Sequence, residues 1–300
     1  FQFLSFSRPV GLQLLSSANI NQNSSTLDLT SPSNNSIGAV WYSIPQRVAQ
    51  GFVMDFRFLL HSFSSVCNSW NYGTNSNEYC TLRRGEGFAF MLVGGGDGMP
   101  AYGDGGAQLG YGGLRKSLAI EFDVTVNPQL GDAGQNHISI HSRGSEPNSA
   151  AHTFSIAQTP QLPILFDGNE HHVRIRYDHS IPSSYLKDPC FKVSQYGARF
   201  LSSSPRRDLG SLTVWIDDFD RPVLVTALNL MSFLAYPPQG TAWVGFTAST
   251  GSEFMVASIR EWNLQVGACM DDCNDNGFCL DGFCICDEGF RGSSCRDVNV

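Results

Sequence analysis

Six of the chain's nine cysteines, Cys269, Cys273, Cys279, Cys284, Cys286 and Cys295, fall within the last thirty-two of its 300 residues. A segment that short buries too little apolar surface to offset its own chain entropy, so it requires covalent staples and an oxidising compartment in which to form them. The chain is thereby split into a disulfide-built tail and a much longer part that folds by burial. "SIREWNLQVG" (258–267) is the last apolar, strand-like run before Cys269, which places the boundary between residues 1–267 and 268–297.

In the longer part, strand signals dominate. "GFVMDFRFLL" (51–60), "GFAFMLV" (87–93), "SLAIEFDVTV" (117–126), "HISIHS" (137–142), "HHVRIRYD" (171–178), "LTVWIDD" (212–218) and "AWVGFTAST" (242–250) alternate or run apolar between Gly, Ser, Asn, Asp and Pro clusters. No window sustains a helical period, so the crossover helices of a parallel sheet are missing and an antiparallel sandwich is predicted. A net charge of −8 leaves little to neutralise phosphates, which argues against a nucleic-acid partner. There is no apolar run of membrane-spanning length. The opening at Phe1 rather than Met suggests a processed chain, and two sequons, at Asn23 and Asn34, suit an extracellular location with glycosylation at both.

The tail spacing C-x3-C-x5-C-x4-C-x-C-x8-C, enclosing "DNGFC" and "CDEGFRGSSC", resembles an EGF-like module. Spacing alone leaves the connectivity open. The resemblance implies Cys269–Cys279, Cys273–Cys284 and Cys286–Cys295, and "LQVGA" before Cys269 lacks the acidic pair of calcium-binding modules of that kind. Cys67 and Cys80 bracket a polar loop, and pairing them would close it, contributing about 3 kcal/mol in the chain-entropy view. Cys190 is then left over and is expected to be buried.

The most informative stretch is "AIEFDVTVNPQLGDAGQNHISIH" (119–141). Period two sends Leu118, Ile120, Phe122 and Val124 to one face and Ala119, Glu121 and Asp123 to the other, while His137, Ser139 and His141 share the polar face of the next strand. If the two strands are antiparallel neighbours, the connection brings Asn127, Asp132 and His137 towards Glu121 and Asp123. No Lys or Arg in the segment balances these acids. Carboxylates so close take up protons unless a divalent cation is present.

The pattern E-x-D-x-x-x-N-x4-D-x4-H resembles the metal segment of legume (L-type) lectins. "LQLLSSANI…LDLT" (12–30), "SIGAVWYSIP" (36–45), "GEGFAFML" (85–92) and the later strands resemble that fold in the family's order. The resemblance implies an all-β, antiparallel jelly-roll sandwich with two adjacent ions. A transition metal, usually Mn2+, would take Glu121, Asp123, Asp132 and His137. Ca2+ would take Asp123, the main-chain carbonyl of Thr125, Asn127 and Asp132. Imidazole suits the softer ion and all-oxygen ligation suits calcium.

The same resemblance implies a saccharide site built from Asn127, the amide of Gly105 or Gly106 in "GDGGAQLGYGG" (103–113), and an acid after a cis peptide bond. Glu86 stands where the family has Asp, and Thr125 where it has an aromatic ring. The first departure moves a charge outward by one methylene, and the second removes a stacking platform worth about 1 kcal/mol. Glu253 or Phe254, in "STGSEF" (249–254), are candidates to compensate.

Other readings compete. "VGGGDGMPAYGDGG" lacks the following helix and Lys-Ser/Thr of a phosphate loop. Hydrolases on related jelly rolls carry a third acid, E-x-D-x-E or E-x-D-x-x-E, whereas this strand has Thr125 and Val126 at those places, so no enzyme is expected. The function expected is extracellular, metal-dependent glycan or glycoprotein binding. The alternative is a structural subunit of an extracellular filament or flagellar hair, assembled from copies of itself, with the apolar "FQFLSF" N-terminus added to a sheet edge.

Overall fold

The computed structural model describes residues 1–67, 70–71, 73–77, 79–132, 134–159, 162–181, 191, 209–267, 269–280, 283–292 and 294–298. Among the described residues, fifteen strands build the two large sheets of the longer part. They are β1 (Gln2–Phe3), β2 (Leu12–Ser16), β3 (Asn19–Asn21), β4 (Thr26–Asp28) and β5 (Ile37–Tyr42). Next come β6 (Phe52–His61), β7 (Gly87–Gly94), β8 (Ser117–Asp123), β9 (His137–His141) and β10 (Ser155–Thr159). The last are β11 (His171–Asp178), β12 (Gly210–Ile216), β13 (Leu224–Leu228), β14 (Ala242–Ser249) and β15 (Val256–Val266).

One sheet runs β13-β12-β11-β6-β15-β4-β3, with β1 also on β15; the other runs β10-β9-β8-β7-β14-β5-β2. Every ladder between these strands is antiparallel, as expected for a sandwich whose strands alternate in character. The sheets meet on an aromatic core of Phe56 and Phe58 from β6, Phe88 and Phe90 from β7, Phe122, Phe246 and Trp262. Phe88 and Phe122 stack with ring centroids 4.8 Å apart, and Phe56 meets Phe246 edge-on at 5.1 Å. Such pairs add roughly 0.5–1.5 kcal/mol each beyond burial.

Strand β6 alternates buried and half-buried residues along its whole length, whereas β7 and β8 are buried on both faces. Their second face is roofed by the long connections. Trp41, Met91, Ala119, Leu109 and Tyr111 form a second, smaller apolar cluster there. This explains why "GFAFMLV" reads as a near-continuous apolar run, and it places Glu121 and Asp123 in an interior rather than on a wet surface.

Two local features depart from the sequence reading. Strand β8 ends at Asp123 rather than continuing to Val126, because the Thr125 N–H turns back to donate to Asp123 Oδ1 at 2.8 Å. A single helical turn, Leu230–Phe233, also forms, with Asn229 accepting from the Ser232 N–H.

In the tail, Gly277–Leu280 pairs with Phe283–Cys286, and Phe290–Arg291 with Asp297–Val298. The disulfides are Cys269–Cys279, Cys273–Cys284 and Cys286–Cys295, as the EGF-like resemblance implies. Cys67–Cys80 joins a hairpin of Ser64–Cys67 and Cys80–Arg83. Cys190 lies outside the described residues. Asn23 and Asn34 are both exposed.

Candidate metal and glycan site

Register builds the site. Asp123 on β8 lies directly opposite His137 on β9, and Glu121 opposite Ser139. The connection between them folds back through a short 3-10 turn at Pro128–Leu130. The Asn127 N–H then donates to Asp132 Oδ2 at 2.7 Å, which draws Asp132 over the strand ends. Ligand atoms of Asp123, Asp132 and His137 thereby converge, all within 4.8 Å of one another. Glu121 stands beside them, its Oε1 3.9 Å from His137 Nε2.

The electrostatics suit a cation. Glu121 and Asp123 are only 2% and 3% exposed. Burial, and next the charge of Glu121, push the Asp123 carboxyl well above the ordinary carboxylate range, against the pull of the Thr125 N–H. Burial also raises Asp132. Among the described residues no Lys or Arg is paired with any of these acids. His137 is oriented as a ligand: its Nδ1 faces the Gly134 carbonyl at 3.0 Å. A carbonyl only accepts, so Nδ1 bears a proton and Nε2 is the ring atom turned to the acids' side. The residues present fit divalent ions.

A second polar group adjoins the first through Asn127, whose side-chain amide donates to Glu86 Oε2 at 2.7 Å. Glu86 is half-buried, and its carboxyl is raised by burial and by the charge of Asp132. The peptide bond before Glu86 is trans, as all those described are. Gly251 abuts Glu86: a Cβ added there would lie 2.6 Å from Oε1. Gly106 opens a 3-10 turn (Gly106–Gln108), whose first amides have no partner within the turn, and its carbonyl accepts from Ser249 Oγ at 2.7 Å. Gly105 packs its backbone against Ile37. Thr125 turns its hydroxyl to the Gly85 carbonyl, 2.9 Å away. Glu253 is turned towards the Cys67–Cys80 hairpin, accepting from Ser64 Oγ at 2.6 Å, so Gly251 rather than Glu253 meets Glu86.

Two neighbours were not singled out from the sequence. Tyr111, fully buried, donates its hydroxyl to Glu121 Oε2 at 2.8 Å. His141 places Nε2 2.8 Å from Glu121 Oε1. The signal for His141 was available, since it shares the polar face of β9 with His137. Tyr111 comes from a Gly-rich loop whose path over the sheet has no local signature.

Comparison with known proteins accords with this arrangement. The family model for the legume lectin domain matches residues 1–196, and that for a Teneurin-like EGF domain matches 269–297. Peanut lectin superposes with a TM-score of 0.56 at 21% identity, over 88% of this chain and 95% of that one. Lectin I-B4 of Griffonia simplicifolia, solved in a metal-free form, gives 0.58 at 19%, over 88% and 98%. Arcelin-5 of Phaseolus vulgaris, a lectin-like defense protein, gives 0.51 at 16%, over 88% and 96%. At these identities the structural likeness establishes the fold, and the family model, spanning well over half of the sequence, establishes kinship: this chain belongs to the legume lectin family and carries an EGF-like module at its C-terminal end.

Proposed function

We propose that this chain is a secreted, metal-dependent lectin in which residues 1–267 bind glycans and residues 268–297 form a disulfide-stapled spacer. Glu121, Asp123, Asp132 and His137 hold a transition-metal ion. Asp123, the Thr125 carbonyl, Asn127 and Asp132 hold calcium. When bound, these ions neutralise the buried acids and pin the 124–136 connection in place. Glycan hydroxyls are then received by Glu86, the Asn127 side chain and an amide of Gly105 or Gly106, with Gly251 leaving room beside Glu86.

The observation that carries the reading is the double engagement of Asn127, which donates from its backbone to Asp132 and from its side chain to Glu86. One residue thus links the cluster that calls for cations to the polar group best placed for a sugar. Catalysis finds no comparable support, because of the two acids on this strand Glu121 faces His137 and His141 and Asp123 converges with Asp132 and His137, so neither stands free as a retaining hydrolase would need.

Filament assembly is the competing reading. Its simplest mechanism, donation of the aromatic N-terminus to a neighbour, is disfavoured because β1 pairs within the chain, Gln2 with Asn263 and Phe3 with Trp262. A glycan array run with calcium and manganese, and again with chelator, tests the proposal. Binding that disappears with chelator and returns with the ions is the expected result. A blank array at millimolar loading, or elemental analysis finding neither calcium nor a transition metal, would overturn it.

A further inference from the structure

The saccharide site proposed above is bordered by a loop that contributes nothing to it directly, residues 31–37. Four hydrogen bonds hold this loop to the site's edge. The Thr250 N–H donates to the Ser36 carbonyl at 2.8 Å, and the Asn35 N–H donates to the Gly251 carbonyl at 3.0 Å. Thr250 Oγ1 accepts from the Ser36 N–H and donates to the Ser33 carbonyl, both at 2.8 Å. Gly251 in turn abuts Glu86, and Ile37, at the end of the loop, packs on Gly105. The loop therefore borders two of the groups that receive glycan hydroxyls. Covalent geometry across Gly251 puts the Asn35 amide within about 10 Å of Glu86 Oε1.

Asn34, on the same loop, is exposed, and Asn34-Asn35-Ser36 is a glycosylation sequon. Ser36 is only 5% exposed, and its Oγ accepts from the Ser31 N–H, so the sequon hydroxyl is already engaged in the folded chain. Attachment on the emerging chain, before Ser36 is buried, avoids that obstacle. The Asn34 amide nitrogen then bonds to the anomeric carbon of a lipid-diphosphate-linked oligosaccharide. The anomeric C–O bond breaks, the lipid diphosphate leaves with its electron pair, and the nitrogen gives up one proton to a base. The other sequon, at Asn23, lies in the turn between β3 and β4, in the opposite sheet. That turn is bonded to Asn21 and not to the 250–251 segment.

We propose that Asn34 carries an N-linked glycan and that this glycan folds back into the chain's own saccharide site as a tethered competitor. The inference rests on the glycan-binding reading of the preceding section and names an occupant for that site. The first few sugars of a branched N-glycan are long enough to cover the separation. A ligand on so short a tether is presented at an effective concentration on the order of millimolar. External glycans bind only while the site is open, so their apparent affinity falls by the open fraction. A glycan that merely covers the surface at Asn34 leaves that affinity unchanged.

The probe is the protein's own N-glycans, released enzymatically, fluorescently labelled and titrated by anisotropy against protein secreted from a glycosylating host, with calcium and manganese supplied. Asn34→Gln is expected to bind them about tenfold more tightly than wild type, and Asn23→Gln as wild type does. Removing the glycan enzymatically from folded Asn23→Gln protein should give the same gain, without relying on Asn34→Gln to fold. Equal, measurable affinity before and after removal would overturn the proposal, as would mass spectrometry finding Asn34 unmodified. Binding to arrayed glycans but never to the released ones would also sink it. So would self-association that requires Asn34, since the glycan would then sit in a second copy's site. Failure of the underlying reading looks different: no form of the protein would bind any glycan, released or arrayed, although Asn34 is occupied.

Discussion

The outward faces of the two sheets are both rich in charge, and they handle it in opposite ways. On the β6-β11-β15 face every acid has a basic neighbour. Arg57 reaches Glu170 and Glu261, both at 3.2 Å, Arg260 reaches Glu170 at 3.3 Å, and Arg174 reaches Asp55 at 2.8 Å. These side chains are partly solvated, and the face neutralises itself. On the β7-β8-β9 face Glu121, Asp123 and Asp132 lie under the roofing loops with imidazoles and a tyrosine for company. The lesson is that charge count does not separate a structural face from a functional one. The deficit is what differs: one face is neutralised by the chain's own arginines, and on the other, among the described residues, no Lys or Arg is paired with the buried acids.

Four experiments bear on that contrast. The largest effect is expected from chelation. Ions held at about a thousandfold above their dissociation constants contribute about 4 kcal/mol, so removing them lowers the melting temperature by roughly 10 °C, as scanning calorimetry would register. Asp132→Ala, which takes away a donor common to both ion sites, should abolish most of that difference between loaded and chelated protein.

Next comes pH. The Asp123, Asp132 and Glu86 carboxyls are raised in the folded chain without metal. A folded carboxyl that holds its proton more tightly than the unfolded one favours folding at low pH, and this stabilisation is lost as pH rises through the folded value. The gap in melting temperature between metal-loaded and chelated protein should therefore widen from pH 5 to pH 7.5. A constant gap would mean that these acids do not titrate with the metals.

Smaller again is Gly251→Ala, whose new methyl would press on Glu86 Oε1. Glycan affinity should fall about tenfold while the melting temperature stays within a few degrees. Loss of stability without loss of binding would place Glu86 outside the sugar site. The smallest effect belongs to the self-neutralised face. Arg174→Ala removes an ion pair with Asp55 and a guanidinium 4.6 Å above the Phe219 ring, and its cost should stay near 1 kcal/mol, insensitive to chelator.

Much of this was readable from residues alone, for physical reasons that also mark where reading stops. Period two assigned Phe122 to the core and Glu121 and Asp123 to the opposite face, and the turn-rich gap fixed which strand they would meet. Cysteine spacing, through the family resemblance, gave the tail its three bridges. Contacts made by long loops were not accessible. The loop before β8 determines that Tyr111 faces Glu121, and the carbonyl of Ser149 determines how His141 is turned. Glu253 was a candidate for the sugar rim, but its pairing with Ser64 depends on a hairpin nearly two hundred residues away in sequence. Side chains governed by their own strand were legible, and those governed by a roof were not.

The position of β15 has a mechanical consequence. It is eleven residues long, hydrogen-bonded along its length to β6 on one side and to β4 and β1 on the other, and it leads directly into the stapled tail. A pull on that tail runs along the strand axis, so the flanking ladders are loaded in shear and their bonds share the force instead of unzipping one at a time. The tail thus joins the sandwich at a strand held by ladders on both sides.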